Sequence, residues 1–351
     1  MSMASEPTTA LHAAIRDLPA ASAAVVPRKV DYLRLSVTDR CNERCLYCLP
    51  ESFSAWTDRE ELLTWDEFLA IVRAAVRRGF RHFRVTGGEP LIRDGIVDFI
   101  ERLVATPGVE TVQLTTNGTR LPELAPALRK AGLERINISL DALDPDTYHH
   151  ITRGHIAPVL EGIALCKALG FPSIKLNTVL MRGKNEDQID ALVAFAARND
   201  TALRFIELMP ISLTEMLNES NFLPAGEVFQ RLAARSEMIP LEVGKPPGHG
   251  PAKYYRMKET GATLGFIGAL TDLHFCDACN KVRLTSDGKL RPCLGNHLEI
   301  DLKAALRSGQ PASEVAATLD SLFLQTLAEK PLEHLFRNNY QPSRVMTAIG
   351  G

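Results

Sequence analysis

At 351 residues the chain is too long for one small domain and fits a barrel-sized unit with a second piece attached. A composition 45% hydrophobic and 23% charged supports a sizeable core and excludes global disorder, while a formal charge of -2 argues against a surface built to coat nucleic acid. Seven cysteines, six of them in two triplets, read as metal usage in a reducing, cytoplasmic setting rather than a secreted disulfide framework, and no apolar run is long enough to cross a membrane.

Residues 1–28 are rich in Ala, Ser, Thr and Pro and lack the basic start and long apolar middle of a secretory signal. Glu6 and Asp17 also speak against a mitochondrial presequence, so the stretch reads as a mobile extension. From Lys29 to about residue 235 strands and helices alternate, with strand candidates at 31–37, 81–86, 110–115, 134–140, 174–180 and 202–207. Amphipathic stretches such as TWDEFLAIVRAAVRRG and LEGIALCKALG lie between them, each closing on a glycine. Repeated β-α units imply a parallel sheet, and six of them suggest a partial barrel whose chemistry sits on the loops at the strand C-terminal ends. A doubly wound open sheet is the alternative.

The first strand runs into TDRCNERCLYCLP, Thr38 to Pro50, which places Cys41, Cys45 and Cys48 on one short loop. Three thiolates leave a tetrahedral or cubane metal site one ligand short. Zinc would need a fourth Cys or His, and the nearest histidine in sequence is His82. An iron–sulfur cube can instead keep that position open for a cofactor or substrate.

The other strand ends are polar as well: Gly87-Gly88-Glu89-Pro90, Thr115-Thr116-Asn117-Gly118, Ser139-Leu140-Asp141 and Met209-Pro210. TGGEP allows close backbone approach and sets a carboxylate at the sheet end, although by itself it is also an ordinary strand-to-helix turn. Strand periodicity adds a further inference. If Leu33, Leu35 and Val37 face the outer helices, then Arg34, Ser36, Arg84, Thr86, Lys175, Asn177 and Arg204 face inward. Four cations inside one barrel require either carboxylate partners, with Glu207 and Glu89 as candidates, or an anionic ligand; a polyphosphate accounts for the excess better. Cys166, on the apolar side of a helix, reads as core.

After about residue 235, EVGKPPGHGPAKYY breaks the rhythm. HFCDACNKVRLTSDGKLRPCLGNH follows, with Cys276, Cys279 and Cys293. The Ser286-Asp287-Gly288 turn predicts a hairpin that returns Cys293 to the neighbourhood of Cys279, with Lys281, Arg283 and Thr285 on the cysteine side of the strand and Val282 and Leu284 on the other. Zinc is open here too, since His274 or His297 could complete a Cys3His set.

Taken together, the first triplet, with Tyr47 before its last cysteine, resembles the cluster loop of the radical S-adenosylmethionine (radical SAM) enzymes. The second, Cys-x2-Cys-x13-Cys with basic residues between, closely resembles the C-terminal cluster of the GTP 3′,8-cyclase family of molybdenum-cofactor biosynthesis. The likeness runs from about Tyr32 to the terminal Ile349-Gly350-Gly351. It implies an α/β fold, a partial (βα)6 TIM-like barrel over 29–235, with a C-terminal α+β domain over 236–351 that carries a second cluster and a Gly-Gly tail.

By the same resemblance the cofactors are S-adenosylmethionine and two 4Fe-4S clusters, one on Cys41, Cys45 and Cys48 and one on Cys276, Cys279 and Cys293. Tyr47, Gly88, Ser139 and Met209 would line the S-adenosylmethionine pocket, with Glu89 and Asn117 as helpers. Arg34, Arg84, Thr115, Lys175, Arg204, Lys281, Val282 and Arg283 would contact GTP, Arg283 also serving catalysis. Lys281 stands where the family commonly has arginine, so a bidentate phosphate contact becomes a point charge. The implied reaction removes H3′ of GTP and joins C3′ to guanine C8, a lyase step. The implied partners are an electron donor such as flavodoxin or ferredoxin and cyclic pyranopterin monophosphate synthase as the next enzyme, with neither nucleic acid nor membrane involved and a homodimer allowed. A peptide-modifying radical SAM enzyme with an auxiliary cluster and a non-catalytic zinc protein are the competing readings.

Overall fold

The computed structural model describes residues 28–212, 214, 216–241, 250–277, 279–338 and 340–350. Residues 1–27 of the N-terminal extension, most of the Gly/Pro-rich stretch after 241, and Gly351 lie outside the described residues.

The first half alternates β1 (Tyr32–Ser36), α1 (Trp65–Arg77), β2 (His82–Thr86), α2 (Ile96–Val104), β3 (Thr111–Thr116), α3 (Leu121–Lys130), β4 (Arg135–Ser139), α4 (Pro145–Thr152) and α5 (Ile156–Ala168). It continues with β5 (Ser173–Leu180), α6 (Ile189–Arg198), β6 (Ala202–Glu207) and α7 (Ala225–Ala233). The second half comprises β7 (Met238–Pro240), β8 (Lys253–Met257), β9 (Thr263–Ile267), β10 (Lys281–Leu284), β11 (Lys289–Arg291), β12 (Ile300–Asp301), α8 (Lys303–Leu306), α9 (Ala312–Ala328) and α10 (Met346–Ile349). Local chemistry explains the start of the first helix. At α1, Thr64 accepts from the Glu67 amide at 3.2 Å and Glu67 accepts from the Thr64 amide at 2.7 Å, closing a reciprocal cap.

The described strands form one 12-stranded sheet in the order β12-β11-β10-β1-β2-β3-β4-β5-β6-β9-β8-β7. All six expected strands are present and pair in parallel in sequence order. Among the described residues, the chain after 236 builds no sheet of its own. Its β10 adds in parallel beside β1, and its β9 adds in parallel beside β6, so both ends of the barrel sheet are extended by the second half.

Each barrel strand divides its side chains as the alternation requires. Leu33, Leu35, Val37, Phe83, Val85, Leu114, Ile136, Ile138, Leu176, Leu203 and Phe205 enter the core beneath the helices. Arg34, Ser36, Arg84, Gln113, Asn137, Lys175 and Arg204 are buried on the opposite face. Cys166 lies in the core as expected. The closing helix α9 packs back on α1, where Asp320 pairs with Arg77 and Arg78 and Phe323 meets Phe80 edge-on. No helix among the described residues is long and apolar enough to cross a membrane.

Candidate active site

Residues from β1 through β6, from the β10–β11 hairpin and from the tail converge on a cavity of about 340 Å³, around which the sheet curls. Cys41, Cys45 and Cys48 line it, and so do Cys276, Cys279 and Cys293.

The first loop is held by backbone. Arg44 N and Leu46 N donate to Thr152 O and Ile151 O at the end of α4, and Arg44 Nη1 donates to Cys41 O at 2.8 Å. Burial pushes all three thiols well above their ordinary range, Cys48 to about 12. Such sulfurs become thiolates only when a cation replaces the proton, which suits a metal-ligating set. Glu43, between the first two cysteines, is buried and accepts from Tyr148 Oη at 2.9 Å; burial raises its carboxyl to about 8.

The TGGEP turn is packed onto this loop. A Cβ on Gly88 would lie 1.9 Å from Arg40 O and 2.8 Å from Asp39 O, and Glu89 N donates to Arg40 O. Glu89 itself accepts from Leu91 N, Thr116 Oγ1 and Asn117 N, and Asn117 Nδ2 donates to Asn42 Oδ1. The carboxylate therefore ties the turn to the end of β3, although burial still lifts it to about 7. Gly88→Ala forces backbone against backbone, with no flexible side chain to yield. If the loop holds the cluster that its resemblance to radical SAM enzymes implies, we expect the substitution to lower S-adenosylmethionine cleavage by on the order of 100-fold, as for an ångström-scale misplacement, with iron content retained. Full activity of that variant would show the close approach to be incidental.

Tyr47, Ser139 and Met209 also line the cavity. The Tyr47 hydroxyl donates to Asp141 Oδ2 at 2.8 Å, while Asp141 Oδ1 accepts from Val179 N, which fixes the tyrosine between β4 and β5.

The inward cations meet as the alternation predicts. In strand register Arg34 stands beside Arg283 on one side and Arg84 on the other, and Asn177 stands beside Arg204. Arg34, Arg84, Lys175, Arg204, Lys281 and Arg283 all line the cavity, together with Thr115. Among the described residues none of these cations is paired with a carboxylate, and Glu207 and Glu89 are engaged elsewhere. Glu207 accepts from Ala225 N, Leu270 N and Thr271 Oγ1, at the barrel end of α7 and the segment after β9. The internal ion pairing considered from the sequence is thus absent from these residues. What contacts the cations is neutral: Arg84 donates to Gln113, Arg204 to Asn177 and Asn137, and Lys175 and Lys281 lie over the rings of Tyr254 and Tyr32. Arg34 Nε and Arg84 Nε are buried with no hydrogen-bond partner. Burial, reinforced by the neighbouring arginines, depresses Lys175 to about 6; for Lys281 the Cys279 sulfur offsets part of the effect and the value is about 7. The site therefore disfavours its own charges until an anion joins them.

Val282 differs from the other residues assigned to GTP. Its side chain is fully buried in the apolar core, beside Leu33 on the far face of β10, and it is not among the residues that line the cavity.

The second triplet is assembled by the hairpin. β10 and β11 pair antiparallel through Arg283–Arg291 and Leu284–Leu290, around a turn in which Gly288 has φ 86°. Cys293 thereby returns beside Cys279. Lys330 Nζ sits 3.8 Å from Cys279 Sγ and donates to Lys281 O and Pro292 O, stitching the two ends together. Burial works to raise Cys279, but Lys330 and Lys281 outweigh it and hold the thiol below its ordinary range. Among the described residues the candidate histidines are engaged elsewhere or exposed. His274 is exposed against Asp277, His297 stacks on Tyr340, and His334 is engaged with Ala269 O.

A Radical SAM superfamily model matches residues 35–196, and a Molybdenum Cofactor Synthesis C model matches residues 201–336. The GTP 3′,8-cyclase of Pelotomaculum thermopropionicum is 43% identical over 326 residues, covering 92% of this chain and 98% of the relative. The chain belongs to the GTP 3′,8-cyclase family. A second family member, from Pseudomonas syringae pv. syringae, is 41% identical over 92% of this chain and 97% of its own. Among solved structures, Streptococcus suis SuiB bound to precursor peptide SuiA has a TM-score of 0.60 at 14% identity, covering 88% of this chain and 66% of that one. That likeness concerns the radical SAM fold alone.

Sequence reading did not single out Gln113, Asn137, Tyr254 or Lys330 as parts of this cyclase-family site. Gln113, Asn137 and Tyr254 lie on strands with an inward register that periodicity could have traced. Lys330 follows α9 and carries no local signal.

Proposed function

We infer that this chain is a radical SAM lyase that converts GTP to (8S)-3′,8-cyclo-7,8-dihydroguanosine 5′-triphosphate, the first step of molybdenum-cofactor biosynthesis. The observation that carries the reading is that six cations, five of them buried and Lys281 partly so, line one cavity with both cysteine triplets and, among the described residues, have no carboxylate partner.

In this reading Cys41, Cys45 and Cys48 hold one 4Fe-4S cluster and Cys276, Cys279 and Cys293 hold the other, each with an iron position that no described histidine fills. When bound, the first cluster and S-adenosylmethionine supply the 5′-deoxyadenosyl radical that removes H3′ of GTP. The chain's own residues bind and orient. Gly88, Ser139, Met209 and the Tyr47 main chain hold the cofactor; Arg34, Arg84, Lys175, Arg204, Lys281 and Arg283 hold the triphosphate and ribose, with Thr115 beside them and the main chain of Val282 in the same layer. Cys276, Cys279 and Cys293 would hold the second cluster where it would supply a binding position for guanine, and the buried walls exclude water. The barrel spans 29–235 and the cluster-bearing C-terminal unit 236–351. Flavodoxin or ferredoxin as electron donor, transfer of the product to cyclic pyranopterin monophosphate synthase, a cytoplasmic setting and a homodimer complete the proposal.

Arg204 provides the test. It is anchored by Asn177 at 2.8 Å and Asn137 at 2.7 Å, both neutral, so its charge is available to a ligand. Arg204→Ala is expected to weaken GTP binding by about 1.5–3 kcal/mol while leaving guanosine binding nearly unchanged, as a charge-assisted phosphate contact requires. Equal weakening of both ligands in calorimetric titrations would remove Arg204 from the phosphate site.

A further inference from the structure

A charge network near the C-terminus, buried at Arg291 and partly buried at Glu299, Arg344 and Asp287, takes no part in the chemistry above. Arg291, on β11, is fully buried; its guanidinium pairs with Glu299 and donates to Asn296 O. Glu299 is shared with Arg344, whose Nη2 donates to Oε2 at 2.9 Å and whose Nε lies 2.8 Å from Oε1. Arg344 Nη1 then donates at 3.0 Å to Asp287, in the turn of the β10–β11 hairpin. Two guanidiniums and two carboxylates thus form a neutral chain from the hairpin to the tail.

Beyond Arg344 the tail touches both halves of the site. Thr347 O accepts from Gly88 N at 3.0 Å and from Ser36 Oγ at 3.4 Å, and Gly350 O accepts from an Arg283 Nη1 donor. Thr347 is buried along the cavity with its hydroxyl unpartnered. Gly350 has φ 85°, and a Cβ there would fall 2.9 Å from Thr86 Cγ2, so the fit is close. A four-residue helix such as α10 cannot hold itself in place, and chain ends fray unless tied down.

We propose that Arg344 is a positioning residue: by bridging Glu299 and Asp287 it fixes the tail on the hairpin, so that Thr347 meets Gly88 and Gly350 meets Arg283. The tail thereby links the cofactor side of the cavity to its phosphate side. The proposal rests on the cyclase reading for its catalytic consequence but not for its structural content.

The test compares wild type, Arg344→Ala, Arg344→Lys and Asp287→Asn, purified anaerobically. Iron content, amide hydrogen exchange of the 345–350 segment, and the ratio of 5′-deoxyadenosine to cyclised product are measured. In Arg344→Ala, exchange of the tail is expected to rise roughly tenfold with exchange across α9 unchanged, as for local opening. Iron should be retained, and 5′-deoxyadenosine should exceed product. Arg344→Lys should recover only part, because one ammonium does not span both carboxylates. Asp287→Asn, which keeps the backbone and one half of the bridge, should show the same change in smaller degree and decides the question if Arg344→Ala does not fold. Unchanged tail exchange, or a rise shared equally by α9 and the hairpin, would overturn the proposal. Absence of GTP-dependent product in wild type would instead sink the cyclase reading, and the exchange data would still decide the lock.

Discussion

Cys48→Ala is expected to abolish reductive cleavage of S-adenosylmethionine. The substitution removes a sulfur and little else: Cys48 N still donates to Cys45 O at 2.9 Å, and Cys48 O still accepts from Ser212 Oγ at 2.9 Å, so the loop keeps its path. With two thiolates left, a cubane cluster would lose a corner ligand. Formation of 5′-deoxyadenosine should fall to background while iron bound by the second triplet remains. The measurement is iron and sulfide per chain together with 5′-deoxyadenosine yield under dithionite, and undiminished yield would reject the assignment of this loop.

Cys293→Ala should give the complementary result. Its neighbours are anchored independently, since Lys330 Nζ donates to Pro292 O at 2.6 Å and Leu335 N donates to Gly295 O at 2.7 Å. The first cluster and cofactor cleavage should survive, but the cyclised product should disappear if, as proposed, the second triplet's cluster places guanine so that H3′ meets the radical. Iron per chain should drop towards half of the wild-type value. A variant that retains normal product would make the second triplet purely structural. The two substitutions together distinguish a cluster that generates the radical from one that places the substrate, a division that loss of overall activity in either variant alone does not reveal.

Much of this site was legible in the residue order because its signals are local. Cys41, Cys45 and Cys48 are close enough in sequence that any compact loop brings them together. The alternation of Arg34 and Ser36 against Leu33, Leu35 and Val37 follows from strand geometry alone, and a parallel sheet buried beneath helices fixes which set points inward. The Ser286-Asp287-Gly288 turn was enough to return Cys293 to Cys279, since a hairpin closes over a few residues.

What only the tertiary structure decided is non-local. Nothing in β10 announces that it pairs with β1, some 250 residues earlier, yet that register sets Arg283 beside Arg34, and both cysteine triplets line one cavity. The same pairing buries Val282 against the helices rather than towards a ligand, because neighbouring residues on a strand point to opposite faces. Whether the inward cations had partners depended on where Glu207 and Glu89 spent their oxygens, and both are used by backbone amides and threonine hydroxyls of segments distant in sequence. Local periodicity determined the composition of the cavity wall; long-range parallel pairing and the destinations of a few buried carboxylates determined that the wall carries excess positive charge.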